Sequence, residues 1–371
     1  MSMKNIIYYH QSLPLYNFRF NPFKSGGKSL FFYSYIYPLY VKWFMNSQTY
    51  VAVQTETVKE KFAKRYHFPL DRIGVYFPKV DRIDVASVGQ YDYEKDTFNF
   101  IYPSIGAAYK EHLTIVYALE RIYAQNQDIA RRIKIHFTIP ENDNQELYHY
   151  ICQHQLSAHF VFHGNLPREQ VLSMMKASHG LLFPSMIETL GLPLFEASSL
   201  GIPVIANDLG YAREVLHGYD GAYFVKVHDY DAWAEKIMAC CRDGVHFPSH
   251  VVPDSGSWER LIRQMTDTSG IPQKQVICVL ATASAKRGAL AIYNQLIQAL
   301  TATDDAAKAE WHVFLDVDMP MPEMPHVHYH VYHTKGFGRV WFDLVGFKRA
   351  VKRLGITPDT LFSLQNTGAR C

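Results

Sequence analysis

Between residues 95 and 245, short apolar runs alternate regularly with longer stretches whose apolar residues recur at helical spacing. Leu113, Val116 and Leu119, three residues apart, show the single buried face that such a helix needs. The apolar runs predict strands at Thr97–Tyr102, Ile133–Thr138, His159–His163, Gly180–Phe183, Pro203–Ala206 and Ala222–Val225. The stretches between them predict helices at His112–Asn126, Asn142–Ser157, Pro167–Ser178, Leu190–Leu200 and Asp229–Cys241. This alternation predicts βαβ units, a parallel sheet and one Rossmann-like domain at 95–245, with ligands at the carboxyl ends of its strands.

The two flanks, residues 1–94 and 273–371, are each too small to form a well-covered sheet. Their apolar runs predict strands at Asn5–Tyr9, Thr49–Gln54, Arg72–Tyr76, Gln275–Ala281, Trp311–Asp316, His326–Tyr332 and Thr360–Leu364. Their helices are expected near Lys28–Asn46, Glu56–Tyr66, Ala289–Leu300 and Val340–Leu354. Together the flanks predict a second Rossmann-like domain. Residues 246–265 are expected to form a crossover helix region, and the polar residues 266–274 a linker.

Composition excludes several other classes of protein. A length of 371 residues fits two or three domains, and 48% hydrophobic with 19% charged residues excludes a disordered chain or a coiled coil. A formal charge of +2 argues against a nucleic-acid partner. Five cysteines without a CxxC pair predict reduced thiols and a cytoplasmic protein. No apolar run reaches the roughly 20 residues of a membrane span, and no signal peptide is expected.

The stretch Phe183–Leu216 carries two carboxylates, Glu188 and Glu196, with GLP between them. Glu188 follows a strand, and Gly191 lets the backbone approach a ligand closely. A helix predicted to begin near Leu190 would turn its free N–H groups toward an anion such as a diphosphate. Glu196, about one and a half turns into that helix, can accept two hydrogen bonds from a ribose diol. The alternative is that both glutamates are solvated on an ordinary βα unit.

This stretch resembles the E-x7-E signature of family-4 retaining glycosyltransferases of the bacterial capsule and lipopolysaccharide type. The resemblance implies an α/β architecture, the GT-B fold, in which two Rossmann-like domains face each other across a cleft. It also implies that Glu188 contacts the transferred sugar and that Glu196 holds the nucleotide ribose. The other donor-binding residues that it implies in this stretch are Ser185, Thr189, Leu190 and Gly191.

The loop after the first strand of the same domain reads YPSIGAAYKEH from Tyr102 onward. By the resemblance, Lys110 matches the lysine of a basic pair that binds the donor diphosphate, and it counts as catalytic. A lysine at a helix N-terminus suits neutralisation of a leaving pyrophosphate. The usual arginine of the pair is missing, and Ser104 stands at about its place. Taken alone, Lys110 reads equally well as a surface lysine.

Two further matches lie in the flanks. A strand that ends in His10 resembles the family strand whose histidine points toward the reacting face of the sugar, although a lone histidine is commonly a packed or surface residue. The stretch Ala281–Leu290 resembles a glycine-rich loop close to the donor phosphates or the acceptor. There Gly288 fits the second glycine and Arg287 replaces the first, so that Arg287 is a candidate for the missing cation.

The order of these matches is rotated along the chain. The stretch from Gln275 resembles the start of such an enzyme, and 336–368 resembles the middle of its N-terminal domain. In the family, the strand with YYHQ follows SLQN soon afterwards, whereas here SLQN lies near the end and YYHQ near the beginning. We therefore predict a circularly permuted chain. The alternative is a chance fusion of two gene fragments.

The resulting hypothesis is a retaining, metal-independent glycosyltransferase without a cofactor, which uses a nucleotide-sugar donor. Its acceptor is expected to be a glycan or a polyprenyl-diphosphate-linked glycan. Asp316 and Asp318 have Asp-x-Asp spacing, but we interpret them as solvated residues at a strand end, and we predict no metal site. Two alternatives stay open: a sugar phosphorylase or epimerase of the same fold, and a catalytically impaired nucleotide-sugar-binding or scaffold protein.

The segment Met1–Thr55 contains no acidic residue. Lys24, Lys28 and Lys42 surround the aromatic stretch YSYIYPLYVKWF. Such a segment suits anionic lipid headgroups, which predicts peripheral contact with the inner face of the cell membrane. The alternative is that the rings form core and the lysines are merely solvated.

Overall fold

A computed structural model of the protein describes residues 3–16, 30–80, 82–242, 245–250, 257–267, 274–284, 287–334, 338 and 341–365. The chain divides into two compact units. Met1–Lys79 and Asp254–Cys371 form the first unit, and Val80–Pro253 forms the second. Residues 80–94 thus group with the second unit rather than with the first flank, and residues 254–265 group with the first.

Strands and helices are numbered along the described chain. The strands are β1 (Lys4–Tyr9), β2 (Thr49–Val53), β3 (Ile73–Val75), β4 (Phe98–Tyr102), β5 (Ile133–Phe137), β6 (Phe160–Phe162), β7 (Gly180–Phe183), β8 (Val204–Asn207), β9 (Ala222–Val225), β10 (Gln275–Leu280), β11 (Ala309–Leu315), β12 (Val327–Val331) and β13 (Thr360–Ser363). The α-helices are α1 (Tyr37–Phe44), α2 (Glu56–Tyr66), α3 (His112–Gln125), α4 (Gln127–Arg132), α5 (Gln145–Gln153), α6 (Arg168–Ala177), α7 (Leu192–Ser199), α8 (Gly210–Val215), α9 (Tyr230–Cys240), α10 (Ser257–Thr266), α11 (Arg287–Ala302) and α12 (Phe347–Arg353).

The second unit contains a six-stranded parallel sheet in the order β6-β5-β4-β7-β8-β9. Its central strands are fully buried runs, as expected of a parallel sheet covered by helices on both faces. The chain runs outward from β4 to one edge and then from β7 to the other, so the strand order reverses between β4 and β7. The strands between Phe98 and Val225 therefore form one parallel sheet, as the alternating pattern predicts.

The first unit contains a seven-stranded parallel sheet in the order β12-β11-β10-β13-β1-β2-β3. Its middle joins the two flanks of the chain, because β13 pairs with β10 on one side and with β1 on the other. The register places Lys4 opposite Thr360 and Ile7 opposite Ser363. The α/β class with two parallel sheets, predicted from the sequence, is thereby confirmed.

Both faces of the first sheet are covered. On one face, Tyr8 and Ile277 pack in a cluster with α10 and α11. On the other face, Tyr9 packs with α1 and α2, while Leu361 packs with α12. Helix α10, placed by sequence near Trp258–Met265, thus packs on the strand that begins at Gln275. No helix among the described residues has both the length and the apolar character needed to cross a membrane.

Several predicted elements differ in detail from the observed ones. The helix expected at Lys28–Asn46 contains a π-helical turn at Phe32–Ile36 before α1, and Lys28 lies outside the described residues. A second π turn, Phe342–Gly346, precedes α12. The short helices α4 and α8 were not predicted, because six residues give too little periodicity to recognise. The expected linker falls largely on residues 268–273, which lie outside the described part.

Candidate functional site

The reversal of strand order between β4 and β7 marks the place in the second unit where a ligand is expected. In open α/β sheets, ligands bind outside the carboxyl ends of the strands at such a switch point, because the two following loops diverge there. The loop after β4 carries Ser104 and Lys110, and the loop after β7 carries Ser185 and Glu188. These four residues were predicted from two separate stretches of sequence. In the structure they follow two neighbouring strands, β4 and β7.

Lys110 and Glu188 form an ion pair across these two loops. The Lys110 Nζ donates to the Glu188 Oε1, although the two residues are 78 positions apart. Both side chains are largely withdrawn from solvent, with 12% and 15% of their surfaces exposed. The ammonium also lies 5.9 Å from the ring centroid of Phe183, the last residue of β7. Because little water screens them, these two charges act strongly on each other and on any charged ligand beside them.

The backbone of the two loops is fixed by hydrogen bonds on either side of this pair. The Met186 N–H donates to the Tyr109 carbonyl at 2.9 Å. The Tyr102 hydroxyl, fully buried at the end of β4, donates to the Lys110 carbonyl at 2.8 Å. These bonds hold the main chain of Lys110 directly and fix the second loop at Met186, two residues before Glu188, so the pair depends on more than its mutual attraction.

Ser185 is part of this scaffold. Its side chain is fully buried, and its hydroxyl donates to the Ile187 carbonyl at 3.3 Å. Its own carbonyl accepts from the Tyr211 hydroxyl at 2.5 Å. Leu190 is 7% exposed and packs in the same loop. In this structure Ser185 and Leu190 support the loop, and a contact of Ser185 with a donor remains a prediction.

Both loops end in a helix whose cap residue is left-handed. Glu111 precedes α3 with φ +52°, and Gly191 precedes α7 with φ +75°. A Cβ on Gly191 would come within 3.1 Å of Leu194, in a backbone conformation that strains any other L-residue. Helix α7 therefore begins at Leu192, two residues later than predicted, and Glu196 lies about one turn into it. No side chain caps either helix. Pro193 in the first turn of α7 has no N–H, and the Leu194 N–H donates to the Gly191 carbonyl, so the N-terminus of α3 offers more backbone donors to an anion than that of α7.

Glu196 forms a separate ion pair. Its Oε1 accepts from the Arg168 Nε at 2.7 Å, with 13% of the Glu196 side chain exposed and 55% of the Arg168 side chain exposed. Burial raises the pKa of the Glu196 carboxyl, and the Arg168 guanidinium opposes that rise in pKa. Glu196 is thus a carboxylate in a poorly solvated place, held by a cation that solvent can reach.

Burial also affects the tyrosines beside the Lys110–Glu188 pair. It raises the pKa of the Tyr102 hydroxyl well above its usual value, and the Glu188 charge raises this pKa further. The pKa of Tyr109 is raised by the same two causes, burial first. Both hydroxyls are therefore protonated at neutral pH and can act as hydrogen-bond donors.

Ser104, which stands where the resemblance expects an arginine, bonds a neutral histidine. Its Oγ lies 2.8 Å from the Nε2 of His112. Burial, followed by the Lys110 charge, lowers the pKa of His112 to about 3, so this imidazole is uncharged at neutral pH. Lys110 is consequently the cation that the loop after β4 brings to the site.

Two predicted groups belong to the first unit. The His10 Nε2 lies 3.0 Å from the Leu364 carbonyl, so β1 and the segment after β13 position this ring together. Arg287 and Gly288 fall in the first turn of α11 rather than in a loop, and their side chains lie outside the described part of the structure. Their predicted contacts with the donor are therefore outside what the structure describes.

Asp316 was interpreted from the sequence as a solvated residue, and the structure contradicts this. Only 12% of its side chain is exposed, and its Oδ1 accepts from the Val317 N–H at 2.7 Å and lies 3.1 Å from the His333 Nδ1. It is a bonded residue that closes the turn after β11, whereas Asp318 is exposed as expected. The described residues contain no group of three or more His, Cys, Asp or Glu arranged to hold a metal ion.

Sequence reasoning missed Arg168 and Tyr109. Arg168 lies 28 residues from its partner Glu196, on the preceding helix. A signal for it exists, since α6 and α7 flank β7, and a cation at the start of α6 can reach a carboxylate early in α7. Tyr109 contributes a backbone carbonyl, for which side-chain patterns give no signal.

Residues 90–250 match the family model described as "Glycosyl transferases group 1". This match covers less than half of the 371 residues and lies entirely within the second unit. No curated protein matches the chain.

Several solved structures are similar to the chain. TarM of S. aureus is 16% identical, with a TM-score of 0.47, over 64% of this chain and 43% of its own. A glycosyltransferase from Rickettsia africae is 20% identical, with a TM-score of 0.46, over 56% of both chains. HepE of Anabaena, in complex with UDP and glucose, is 15% identical, with a TM-score of 0.45, over 64% of this chain and 62% of its own. The chain thus spans between 43% and 62% of the length of these three proteins. The family match in the second unit, together with the two parallel α/β sheets, supports a glycosyltransferase of the GT-B fold.

Proposed function

We propose that this protein is a retaining glycosyltransferase that transfers a sugar from a nucleotide-sugar donor to a glycan or a lipid-linked glycan. The observation that carries this proposal is the Lys110–Glu188 pair at the switch point of the second sheet. An ammonium and a carboxylate, both mostly buried, stand where an α/β sheet receives its ligand. Together they offer one group for the phosphates and one for the sugar hydroxyls.

Lys110 is proposed to stabilise the leaving group. The bond between the anomeric carbon and the phosphate oxygen breaks, and its electron pair stays with the nucleoside diphosphate. The developing charge would fall near Lys110 and the N-terminus of α3, with a smaller contribution from α7, where Pro193 removes one N–H donor. The acceptor hydroxyl bonds to the anomeric carbon on the face that the diphosphate leaves, and its proton passes to the departing phosphate oxygen. The reaction needs no protein nucleophile and no metal in this scheme.

Glu188 and Glu196 are proposed to divide the recognition of the donor. Glu188 already accepts from Lys110, so a bound diphosphate would share the ammonium and leave the carboxylate to accept from the transferred sugar. Glu196 would accept from the ribose diol while Arg168 keeps it ionised. Between Glu188 and Glu196, the donor would meet backbone groups of Thr189, Leu190 and Gly191.

The first unit is proposed to serve the acceptor. His10 would face the reacting sugar, and a polyprenyl-diphosphate-linked glycan is the acceptor that we favour. The rotated order of the matched motifs is proposed to be a circular permutation, supported by the pairing of β13 with β1. The cytoplasmic location expected from the sequence remains part of this proposal.

Replacement of the sugar-facing carboxylate tests the proposal. Glu188→Gln keeps the size of the side chain but removes its charge, and we expect donor turnover to fall by about 100-fold. The measurement is release of nucleoside diphosphate from a panel of UDP-, GDP- and dTDP-sugars. Glu235→Gln is the matched control, because Glu235 is 70% exposed and pairs with the adjacent Lys236.

Each outcome bears on the proposal. Loss of turnover in Glu188→Gln, with an unchanged melting temperature and with Glu235→Gln like the parent protein, would support it. Equal turnover in the parent and in Glu188→Gln would overturn the role of Glu188. Binding of nucleotide sugars with no turnover by the parent would favour a scaffold protein instead.

A further inference from the structure

Ser104 stands in the loop after β4, at about the place where the resemblance expects an arginine, and its hydroxyl is paired with a buried imidazole. The Ser104 Oγ lies 2.8 Å from the Nε2 of His112, the first residue of α3. The Ser104 N–H donates to the Thr138 Oγ1 at 3.2 Å, which ties this serine to the segment after β5. Ser104 is partly exposed, whereas only 1% of His112 is exposed. The pair therefore has a buried end, the imidazole, and an end that solvent reaches, the serine.

The surroundings of His112 decide which of its ring nitrogens carries the proton. The imidazole is neutral at physiological pH, because burial and then the Lys110 charge lower its pKa to about 3. Its Nδ1 is buried and has no hydrogen-bond partner within the described part of the chain. A buried N–H without an acceptor is rarer in proteins than a buried acceptor without a donor. The proton of the ring is therefore assigned to Nε2, which donates to the Ser104 Oγ.

The direction of the Ser104 proton follows from this assignment. A serine hydroxyl has one proton and two lone pairs, so an Oγ that accepts from His112 is left to donate to a different group. In the structure that group is the Tyr102 phenol, whose pKa is raised by burial and then by the Glu188 charge, while hydrogen bonding from Ser104 opposes the rise. The Tyr102 hydroxyl in turn donates to the Lys110 carbonyl at 2.8 Å. The Ser104 proton is thus turned toward the strand end at which Lys110 and Glu188 meet.

We propose that Ser104 donates a hydrogen bond to the leaving diphosphate of the nucleotide sugar, with His112 as the positioning residue that fixes the direction of this bond. The inference rests on the proposed sugar transfer and adds a donor where the arginine of the family is missing. A phosphate oxygen is charged and accepts more strongly than a phenol, so it replaces the Tyr102 oxygen as the acceptor when a nucleotide sugar is bound. The proton stays on the Ser104 oxygen throughout, and no covalent bond forms there.

Lys110 and Ser104 would act on the diphosphate in different ways. Lys110 brings a charge, which it shares with Glu188, whereas Ser104 brings a neutral donor of fixed direction. A neutral His112 suits this arrangement, because it holds the hydroxyl without adding a second cation beside the Lys110 ammonium. Negative charge on the diphosphate grows as its bond to the sugar breaks, so the bond from Ser104 strengthens in the transition state. Its loss is therefore expected to act on kcat more than on KM.

Removal of the Ser104 hydroxyl tests the proposal. Release of nucleoside diphosphate by the full chain is measured with whichever of the UDP-, GDP- and dTDP-sugars the parent protein uses. Ser104→Ala should lower kcat by about 30-fold, with a smaller change in KM. Ser104→Thr, which keeps a hydroxyl, should recover most of this loss. Ser157→Ala is the matched control, because Ser157 is exposed elsewhere in the second unit, and it should leave both constants unchanged.

A second pair of variants tests the part of His112. His112→Phe keeps an aromatic ring but removes Nε2, and it should lower kcat by about tenfold. His112→Gln, whose amide can donate to the Ser104 Oγ, should recover most of that loss. Introduced into Ser104→Ala, His112→Phe should have no further effect on kcat, because a positioning residue acts only through the hydroxyl that it orients. A merely structural role would instead lower kcat by the same factor in both backgrounds, and that result would overturn the role of His112.

The outcomes separate this inference from the proposed function. If Glu188→Gln loses turnover while Ser104→Ala matches the parent, the transferase stands and the role of Ser104 is overturned. Equal losses in Ser104→Ala and Ser104→Thr would also overturn that role. A parent that turns over none of these donors would overturn both the transferase and the inference. If the melting temperature shows that His112→Phe does not fold, the comparison of Ser104→Ala with Ser104→Thr still decides.

Discussion

The two units of the molecule reach the same kind of sheet by different routes. In the second unit, every strand from β4 to β9 comes from one continuous stretch of chain, and the proposed donor site lies between two of its loops. In the first unit, the central strand β13 pairs with β1, although the two lie at opposite ends of the chain. The pattern of buried strands is alike in both. The difference shows that this sheet type demands correct neighbours in space, whereas their order along the chain is free to vary.

Termination of the chain after Asp359 would test this comparison most severely. It removes β13, whose four residues are buried and which pairs with both β10 and β1. We expect the first unit to lose its cooperative fold while the second unit keeps its own, since β13 contributes nothing to the second sheet. Hydrogen exchange read by peptide gives the measurement, with a chain that ends after Gln365 as the control. Protection that persists in β1 and β10 would show that β13 is dispensable.

Loss of one buried carboxylate should have a smaller effect of the same kind. Asp343 is fully buried and accepts from the Gln365 Nε2 at 2.7 Å and from the Tyr40 hydroxyl at 2.9 Å, so it links segments from both ends of the chain. Asp343→Ala leaves two donors without this acceptor, and we expect a loss of about 3 kcal/mol in the free energy of unfolding of the first unit. Denaturant titration with unit-specific exchange measures it. Exposed Asp318→Ala is the control, and equal effects of the two changes would refute the bridging role.

The same contrast explains what the sequence could predict. The strands of the second unit were placed within about two residues, because alternation of apolar runs and helical stretches is a local property of the chain. The resemblance predicted Glu188 and Lys110 as separate site residues, but it did not predict their mutual contact, since that depends on two loops that meet only in the folded sheet. The start of α7 was misplaced because Gly191 adopts a left-handed cap rather than a helical one.

Long-range polar contacts in the first unit gave still less signal. The Asp343 network joins segments separated by hundreds of residues, and no spacing rule relates Tyr40 to it. Asp316 was taken as solvated because strand ends commonly are, whereas the histidine that follows β12 reaches back to it. Side-chain partners of this kind become predictable only once the strand order is known.

Acidification should distinguish the units through their buried histidines. In the second unit, burial lowers the pKa of His112 to about 3 and of His136 to about 4. In the first unit, burial lowers the pKa of His330 to about 4, followed by His312 and His328 as smaller causes. The unfolded chain, with a histidine pKa of about 6.5, takes up protons first as pH falls. Stability is therefore full above about pH 6.5 and is lost as pH falls toward these folded values.

We expect the second unit to lose more stability in acid, because two of its described histidines, His112 and His136, have a pKa lowered to about 4 or below, against His330 in the first unit. The difference should reach about 2 kcal/mol near pH 4.5. Thermal unfolding of each unit as a function of pH measures it. His112→Gln should flatten the acid limb of the second unit alone, and a first unit that loses stability earlier than the second would reverse the comparison.

The smallest expected effect concerns the exposed half of the Glu196 pair. Arg168 is 55% exposed, so Arg168→Ala should change the free energy of unfolding by less than about 1 kcal/mol. Its consequence for Glu196 should be clearer, because burial already raises the pKa of this carboxyl and Arg168 opposes the rise. Without the guanidinium the pKa of Glu196 should rise further, and carboxyl NMR titration against pH measures it. Arg213→Ala serves as control, since Arg213 pairs with Asp208 on the surface of the same unit and should leave Glu196 unchanged. If neither substitution changed the titration of Glu196, burial alone would set its protonation. Arg168 would then have no part in keeping the proposed ribose ligand ionised.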